Sequence, residues 1–515
     1  MAVTARSPLF ARQLALFVAA KLLLQVTVNV VTRFGFQRDE FLYFAMGEHL
    51  RLWRMDFPPG IAIAANVVRF LLGDSMTAIR MVPAVAGTMT MIVAVLIARE
   101  LGGGRFAQGL TALAFFVSGI FLRTAGLFQP VVLDQLAWTA ALYFLVRIGR
   151  SSEPRWWLLL GVSLGLGLLV KFSVLMFGFA VLLAILATPH RAALKSWWPW
   201  TAAAIAFAIG SPSIAGQLAL HFPVVGQMQE LRAGQLDHVT YLGFFAGQLT
   251  WGPPALVAAV GAWALVGSPR FASQRLAGWA CVFIELVLLV THGKSYYVGP
   301  IFPTLIAAGA VTIEQYGDGV ATPSLAPRAL SLRWAAAGLF VAFGALTFPI
   351  ALPVLSPQRT ASYIAAVHMD FTRRNNQGGL EVLPQDFADM LGWEEQVIAM
   401  DRAYDALTDA QRREVVIGAS NYGRAGAIDY YGPRHGLPKA ISSAGSYWFW
   451  GPGTKPGNVA LIVENDDTHL KQLWGDVRAV EHIHSPWSVG EERDVNIYLC
   501  QQPKQTLQQA WPSLN

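Results

Sequence analysis

What most constrains this 515-residue chain is a series of apolar runs, each close to the roughly 20 residues a helix needs to cross a bilayer core. We place them near 14–32, 81–99, 106–122, 134–149, 156–170, 173–188, 198–216, 242–266, 276–291, 300–314 and 333–351. Composition agrees: 54% of residues are hydrophobic and 14% charged, with a mean hydropathy of +0.44, which excludes an ordinary soluble domain. The net charge of +6 invites a nucleic-acid partner, but Lys and Arg fall between apolar runs instead of on one polar face. Topology accounts for them, and no nucleic acid is expected. Leu14 to Val31 is too long for a signal-peptide core and lacks a small-residue cleavage pattern before Arg33, so it reads as a retained first span.

Charge orients the spans. With Arg6 and Arg12 inside, the other inside loops carry Arg99 and Arg105, then Arg147, Arg150 and Arg155, then Arg191 and Lys195, Arg270 and Arg275, and Arg328 and Arg333. Every inside loop is then basic, as membrane insertion favours. An odd number of spans puts the C-terminal region on the extracytoplasmic side. Cys281 and Cys500 give no disulfide framework.

Two outside segments are more than connections. Residues 33–80 contain FLYFAMGEHLRLW and IAIAANVVRFLLG, whose helical apolar spacing and interspersed charges predict amphipathic helices at the membrane surface. From 352 to 515 the apolar runs shorten to EVVIGA, NVALIVEN and VNIYLC and alternate with helical patterns. This predicts a transmembrane module over 1–351 and a soluble α/β domain over 352–515. No internal repeat interrupts either.

Candidate chemistry gathers on the outside face. Asp39 and Glu40 open the first surface helix, where acids favour the helix dipole but where a carboxylate at membrane level also serves as a general base. Asp56 precedes the turn Pro58-Pro59-Gly60, and Asp134 stands at the outer end of its span. Each alone reads as a turn or cap residue; their common placement argues for a shared site. Lys171 and Lys294 fall on the same side with Arg38, Arg51, Arg54, Arg69 and Arg80. An anionic ligand explains that excess of cations, although anionic lipid headgroups attract the same charges. His469, His482 and His484 have no matching ligand cluster, so no metal or cofactor is expected. Gly161, Gly165 and Gly167 lie inside a span and predict helix packing instead of a phosphate loop.

With these residues in place, the sequence resembles the bacterial glycosyltransferase family 39, related to the protein O-mannosyltransferases and the lipid A aminoarabinose transferases of GT-C fold. The motifs that carry the resemblance are RDEFLYFAMGEHL, DFPPG, IARELGG, LDQLAW, LVKFSVLMFGF and GKSYYVGPIFPTLIAAGA. FADMLGWEEQV, SNYGRAGAIDYYGPRHGLP and SYWFWGPG are similar to the C-terminal part of one bacterial branch. The resemblance implies a polytopic α-helical membrane protein with about eleven transmembrane helices, amphipathic surface helices in the first outside loop and a C-terminal extracytoplasmic α/β domain. It further implies an inverting transferase in the bacterial plasma membrane, its active site extracytoplasmic. Such an enzyme moves a sugar from a polyprenyl-phosphate donor to a hydroxyl on a lipid, protein or glycan acceptor.

By the same resemblance, Asp39 matches the catalytic aspartate, Glu40 its acidic neighbour and Asp134 the second acidic position. Asp56 matches the acid before the Pro-Pro turn. Arg38, Tyr43, Lys171, Lys294, Tyr296 and Tyr297, with Asp56, are the expected substrate-binding residues. One position departs: several relatives hold the donor phosphate with a lysine where this chain has Phe57. Lys294, Lys171 or Arg38 is expected to supply that contact. Two other classes compete. A transporter or flippase for a lipid-linked sugar would place its charges at the midplane and often shows a repeat, and a membrane-anchored binding protein would not need Asp39.

Overall fold

The computed structural model describes residues 7–151, 153–318, 326–375 and 377–514. Arg6 and the side chain of Arg328, both counted in the charge pattern, lie outside the described residues. The chain divides into two compact units. One comprises Met1–Val30, Leu52–Gly60 and Arg80–Leu352, the other Val31–Arg51, Ile61–Ile79 and Pro353–Asn515.

The first unit is helical. Among the described residues seven helices are long and apolar enough to cross a membrane: Ala11–Val31, Met76–Glu100, Pro130–Arg150, Trp198–Ala219, Pro269–Val290, Ser295–Tyr316 and Ser331–Ala351. The number rises to nine if each of two bent helix pairs is one span. The apolar run 242–266 is one such pair, with Tyr241–Leu249 and Pro253–Gly267 meeting at 114°. Gly252 adopts φ +79° there, and the following prolines start a helix readily but cannot continue one. Run 173–188 likewise turns by 105° into Pro189–Lys195.

Run 106–122 is interrupted. Arg105–Val117 stops at Ser118, whose backbone is extended, and Gly119–Thr124 begins anew. A break inside a buried apolar run frees carbonyls that another group must satisfy. The first helix supplies donors: Lys21 Nζ donates at 2.7 Å to the Phe115 carbonyl at the break, and Gln25 Nε2 at 3.4 Å to that of Leu122, in the last turn of Gly119–Thr124. Lys21, Gln25 and Asn29 are buried one helical turn apart, on one face of Ala11–Val31. Elsewhere small residues let helices touch. A Cβ on Gly261 would lie 1.9 Å from the Leu305 carbonyl oxygen, and one on Gly309 1.9 Å from that of Val257. Gly161 and Gly165 bring Arg155–Leu168 against Trp198–Ala219, where a Cβ would lie 2.4 Å from the Ala202 carbonyl oxygen and 3.0 Å from that of Ala206, respectively, the packing role expected of them.

The second unit is built on a five-stranded sheet of order β2-β1-β3-β5-β4. Its strands are β1 Val416–Ala419, β2 Ala440–Ile441, β3 Val459–Glu464, β4 Trp474–His484 and β5 Asp494–Pro503. β1, β3 and β5 are the three apolar runs expected to be strands. β1 lies parallel to β2 on one side and β3 on the other, while β3–β5 and β4–β5 are antiparallel. The chain leaves β1 through helix Tyr422–Tyr431, reaches β2, and recrosses to β3. The carboxyl end of β1 is therefore a topological switch point, where loops diverge and leave room for functional groups.

Against helix Tyr422–Tyr431 packs Arg38–Glu48, from the opposite end of the sequence. The approach depends on Gly423 and Gly426, where a Cβ would meet Arg38 Cγ at 2.5 Å and Phe41 Cβ at 2.7 Å. Aromatic rings close the seam: Phe41 lies 5.9 Å from Trp393, 6.0 Å from Tyr430 and 5.7 Å from Tyr431 between centroids, and Phe36 5.1 Å from Tyr430. Their area makes this the main apolar contact holding the helix.

Candidate active site

Asp39 is placed by the helix that it opens. Gln37 is the N-cap: its side chain accepts the Asp39 N–H at 2.8 Å, and Glu40 Oε2 accepts the Gln37 N–H at 2.7 Å, completing a capping box. Glu40 is fully buried and serves this cap. Asp39, about 100° around the helix, takes another direction, and its Oδ1 accepts a hydrogen bond of 3.0 Å from the Tyr422 hydroxyl. Tyr43 lies four residues further on the same face, half-buried.

Arg38 ties the site together. Its backbone N–H donates to the Asp389 carbonyl at 3.1 Å. Its guanidinium pairs with Glu491, stands 4.0 Å from Asp389 Oδ1 and lies 5.9 Å from the Tyr422 ring centroid. Gln37 Nε2 reaches Asp389 Oδ2 at 3.4 Å. Burial pushes the Asp39 carboxyl above the usual aspartate range, and Asp386 and Glu40 push it further, while Arg38 and the Tyr422 hydrogen bond pull it back. Burial lifts Asp389 to about 7, with Arg38 opposing and Asp39, Asp386 and Glu491 adding to the rise. Burial works against the Arg38 charge, but Tyr422, Asp389, Glu491 and Asp39 outweigh it and hold the guanidinium cationic. The result is a fixed cation beside a carboxylate that binds protons more readily than an exposed one.

Beneath this group Arg424 is buried with Glu492. Arg424 Nε donates to Glu492 Oε2 at 2.8 Å, Nη1 to Ser420 Oγ at 2.6 Å, and Nη2 to Asn465 Oδ1 at 2.8 Å and to the Glu491 carbonyl at 2.9 Å. Glu492 also accepts from Gln396 at 2.9 Å and Asn421 at 2.8 Å. Asn421 caps helix Tyr422–Tyr431 by accepting the Arg424 N–H at 3.0 Å. Tyr422 and Glu491 are thus both anchored to the turn after β1.

The first unit holds a second constellation. Asp134 is buried at the start of Pro130–Arg150, and Ser173 Oγ donates to its Oδ2 at 2.8 Å. Lys171 Nζ lies 5.4 Å from the Tyr297 ring, Tyr297 packs edge-on to Tyr296 at 4.8 Å, and Lys294 Nζ lies 5.7 Å from the Tyr296 ring. Lys294 also donates to Gln235 Oε1. Burial pulls its ammonium down to about 8, so it remains largely cationic at neutral pH, and a bound anion would hold it so. Asp56 is buried in the same unit, where Gln217 Nε2 donates to its backbone carbonyl at 2.5 Å. Among the described residues no three His, Cys, Asp or Glu side chains converge as a metal site.

The residues expected from sequence therefore fall into two groups: Arg38, Asp39, Glu40 and Tyr43 in the second unit, and Asp56, Asp134, Lys171, Lys294, Tyr296 and Tyr297 in the first. Sequence reasoning did not reach Tyr422, Asp389, Glu491, Arg424, Glu492, Ser173 or Gln235. Asp389 and Tyr422 stand inside FADMLGWEEQV and SNYGRAG, two stretches already singled out by resemblance. A polar, glycine-rich turn after a short apolar strand was the available signal.

Comparison with known proteins gives the same direction. Residues 56–215 match the family model described as dolichyl-phosphate-mannose-protein mannosyltransferase. Among curated protein sequences nothing matches this chain. Among solved structures, ArnT from Cupriavidus metallidurans bound to undecaprenyl phosphate is similar with a TM-score of 0.62 at 16% identity, over 95% of this chain and 98% of that one. Its apo state gives 0.60 at 16% identity, over 94% and 97%. This likeness spans the chain and shows that the two share a fold. The Archaeoglobus fulgidus oligosaccharyltransferase tethered to an acceptor peptide is more distant, with a TM-score of 0.46 at 12% identity over 82% of this chain and 63% of that one.

Proposed function

We propose that this protein is an inverting glycosyltransferase that moves a sugar from a polyprenyl-phosphate donor to an acceptor hydroxyl on a lipid, protein or cell-envelope glycan. The observation that carries the reading is Asp39, a half-buried carboxylate fixed between Tyr422 and Arg38 at the start of a helix. The fold it shares with ArnT supports it. An alcohol is a poor nucleophile at neutral pH, and a positioned carboxylate that takes its proton contributes typically about 10²–10⁴-fold. The acceptor oxygen bonds to the anomeric carbon as the bond from that carbon to the phosphate oxygen breaks, and the acceptor proton passes to Asp39. The phosphate leaves as an anion and needs no general acid, but positive charge near it stabilises the transition state.

In this reading Asp39 is the base and Asp134, oriented by Ser173, the second acidic group, with Glu40 supporting Asp39 through the cap. Lys171 and Lys294, flanking the Tyr296–Tyr297 pair, supply the phosphate contact that Phe57 cannot, with Arg38 the further cation. Tyr43 and Asp56 complete the substrate-binding set.

The protein works in a bacterial plasma membrane, with 1–351 as transmembrane module and 352–515 as extracytoplasmic α/β domain. The chain crosses about eleven times, a number reached when the two bent pairs and the shorter apolar helices Arg105–Val117 and Arg155–Val170 all count as spans. The basic inside loops support that sidedness. Mass analysis of lipid and glycan pools from cells lacking the protein tests the function: one polyprenyl-phosphate sugar should accumulate and one glycosylated product disappear. Unchanged pools contradict it.

A further inference from the structure

The base of a transfer reaction must be ionised, aimed and kept so while it waits for substrate. A carboxylate at the first residues of a helix has rotational freedom about χ1 and χ2, and burial disfavours its charge. One contact of Asp39 bears on both difficulties. The Tyr422 hydroxyl donates to Oδ1 at 3.0 Å, and a hydrogen bond donated to a carboxylate both orients it and stabilises its ionised form.

What makes this more than a chance contact is how firmly Tyr422 itself is held. It is the first residue of helix Tyr422–Tyr431, capped by Asn421. Asn421 donates to Glu492, and Glu492 is shared with Arg424 and Gln396. The same Arg424 holds the Glu491 carbonyl, and the Glu491 side chain pairs with Arg38, the neighbour of Asp39. Gly423 leaves room for Arg38 to lie against the helix, and Gly445, at φ +58°, sits beside the Tyr422 ring, where a Cβ would stand 3.3 Å from Cδ1. A buried ion pair is weak evidence for stability but well suited to fixing one arrangement among several.

We propose that Tyr422 is a positioning residue for the transfer reaction: its hydroxyl, fixed by the Arg424–Glu492 pair through the Asn421 cap, orients Asp39 and holds it ionised as the base. This rests on the reading of Asp39 as base. It assigns the turn after β1, 383 residues away in sequence, a part in the chemistry. Among the groups that act on the ionisation of Asp39 are Arg38 and Glu40 on its own helix, Tyr422 on the facing helix, Asp386, and Asp389, whose carboxyl is coupled to it. Of these, Tyr422 and Arg38 alone favour the charged form.

The test measures Asp39 directly in the full chain in detergent, by infrared titration of its protonated carboxyl band, assigned through its loss in Asp39→Asn. Tyr422→Phe removes the donor and leaves the ring. The midpoint should rise by about one pH unit, since a hydrogen bond to a charged group is worth roughly that much. 3-Fluorotyrosine at position 422 is a stronger donor of nearly the same shape, and the midpoint should fall. It serves as the test if Tyr422→Phe does not fold. An unchanged midpoint in either folded variant, or movement in the same direction in both, overturns the proposal. The transfer rate of Asp39→Asn reads the underlying assignment separately. A moved midpoint together with an active Asp39→Asn would leave the tyrosine effect standing and remove the base it was meant to serve.

Discussion

Arg424 and Glu492 are joined at 2.8 Å with both side chains almost wholly withdrawn from solvent. Removing one partner of such a pair strands the other charge, at a cost of about 3–5 kcal/mol. Glu492→Gln is therefore expected to destabilise the second unit by about 3 kcal/mol, the low end of that range because the amide oxygen can still accept from Arg424 and Gln396 while its NH2 group meets the Asn421 donor. Hydrogen exchange of β1 and helix Tyr422–Tyr431 in the full chain reads this; unchanged protection there would show the pair to be dispensable.

Gly426 faces Phe41 so closely that a Cβ would stand 3.0 Å from the Phe41 carbonyl carbon and 3.1 Å from its oxygen. Alanine gains about 1 kcal/mol of helix propensity, but overpacking against backbone costs about 1–3 kcal/mol. The clash wins because backbone cannot rotate away. Gly426→Ala should shift helix Arg38–Glu48, lengthen the Tyr422–Asp39 contact and cut transfer roughly tenfold, as small displacements in a site do. Full transfer activity in this variant would show that the helix position tolerates change.

Lys21 illustrates the same logic in the membrane. Its ammonium satisfies the Phe115 carbonyl freed by the break at Ser118. Lys21→Leu suits the bilayer better by composition, yet leaves that carbonyl without its partner at a cost of about 1–3 kcal/mol. We expect lower thermal stability in detergent for Lys21→Leu, whereas a variant as stable as the natural chain would mean that the carbonyl finds another donor.

Asp389 sets a pH dependence of stability. Burial lifts its folded value to about 7, above the ordinary range near 3.9 for an unfolded chain. Between these values the folded state holds the extra proton, so stability is fully present at acid pH and falls as pH rises through 7. Asp389→Asn should flatten that fall in a thermal-stability profile from pH 4 to 8; an equally steep fall in the variant would assign it to another group.

The cations of the first unit give a kinetic prediction. If Lys294 contacts the donor phosphate, Lys294→Met raises the KM for the lipid donor and lowers kcat, since the phosphate gains charge as it leaves. Lys171→Met should act in the same sense. Donor kinetics unaltered in both variants would send the phosphate contact to Arg38.

The sequence made the apolar runs legible because hydropathy over 20 residues is a strong signal, and the three central strands because each is a short, uninterrupted apolar run. It did not show that runs 106–122 and 242–266 are broken. Ser118 is an unremarkable residue whose extended backbone is stabilised by a lysine 97 positions earlier, and Gly252-Pro253-Pro254 could equally have been a kink within one span. Asp39 was legible as a residue, through its motif and position. Its surroundings were not: Tyr422 reaches Asp39, and Asp389 and Glu491 reach Arg38, from more than 300 residues away in sequence. Local pattern carries no information about which distant turn will face a helix, and the glycines that permit that approach read in sequence as ordinary turn residues.

Transfer by Asp39→Asn is the most direct measurement. The donor is the polyprenyl-phosphate lipid that accumulates in cells lacking the protein, purified and supplied to the natural chain and the variant in detergent without any gradient. With Asp39 as the base, the variant should be folded, retain donor binding and transfer sugar at least a hundredfold more slowly, in keeping with the roughly 10²–10⁴-fold contribution of a general base. Transfer at the natural rate by Asp39→Asn would contradict that role.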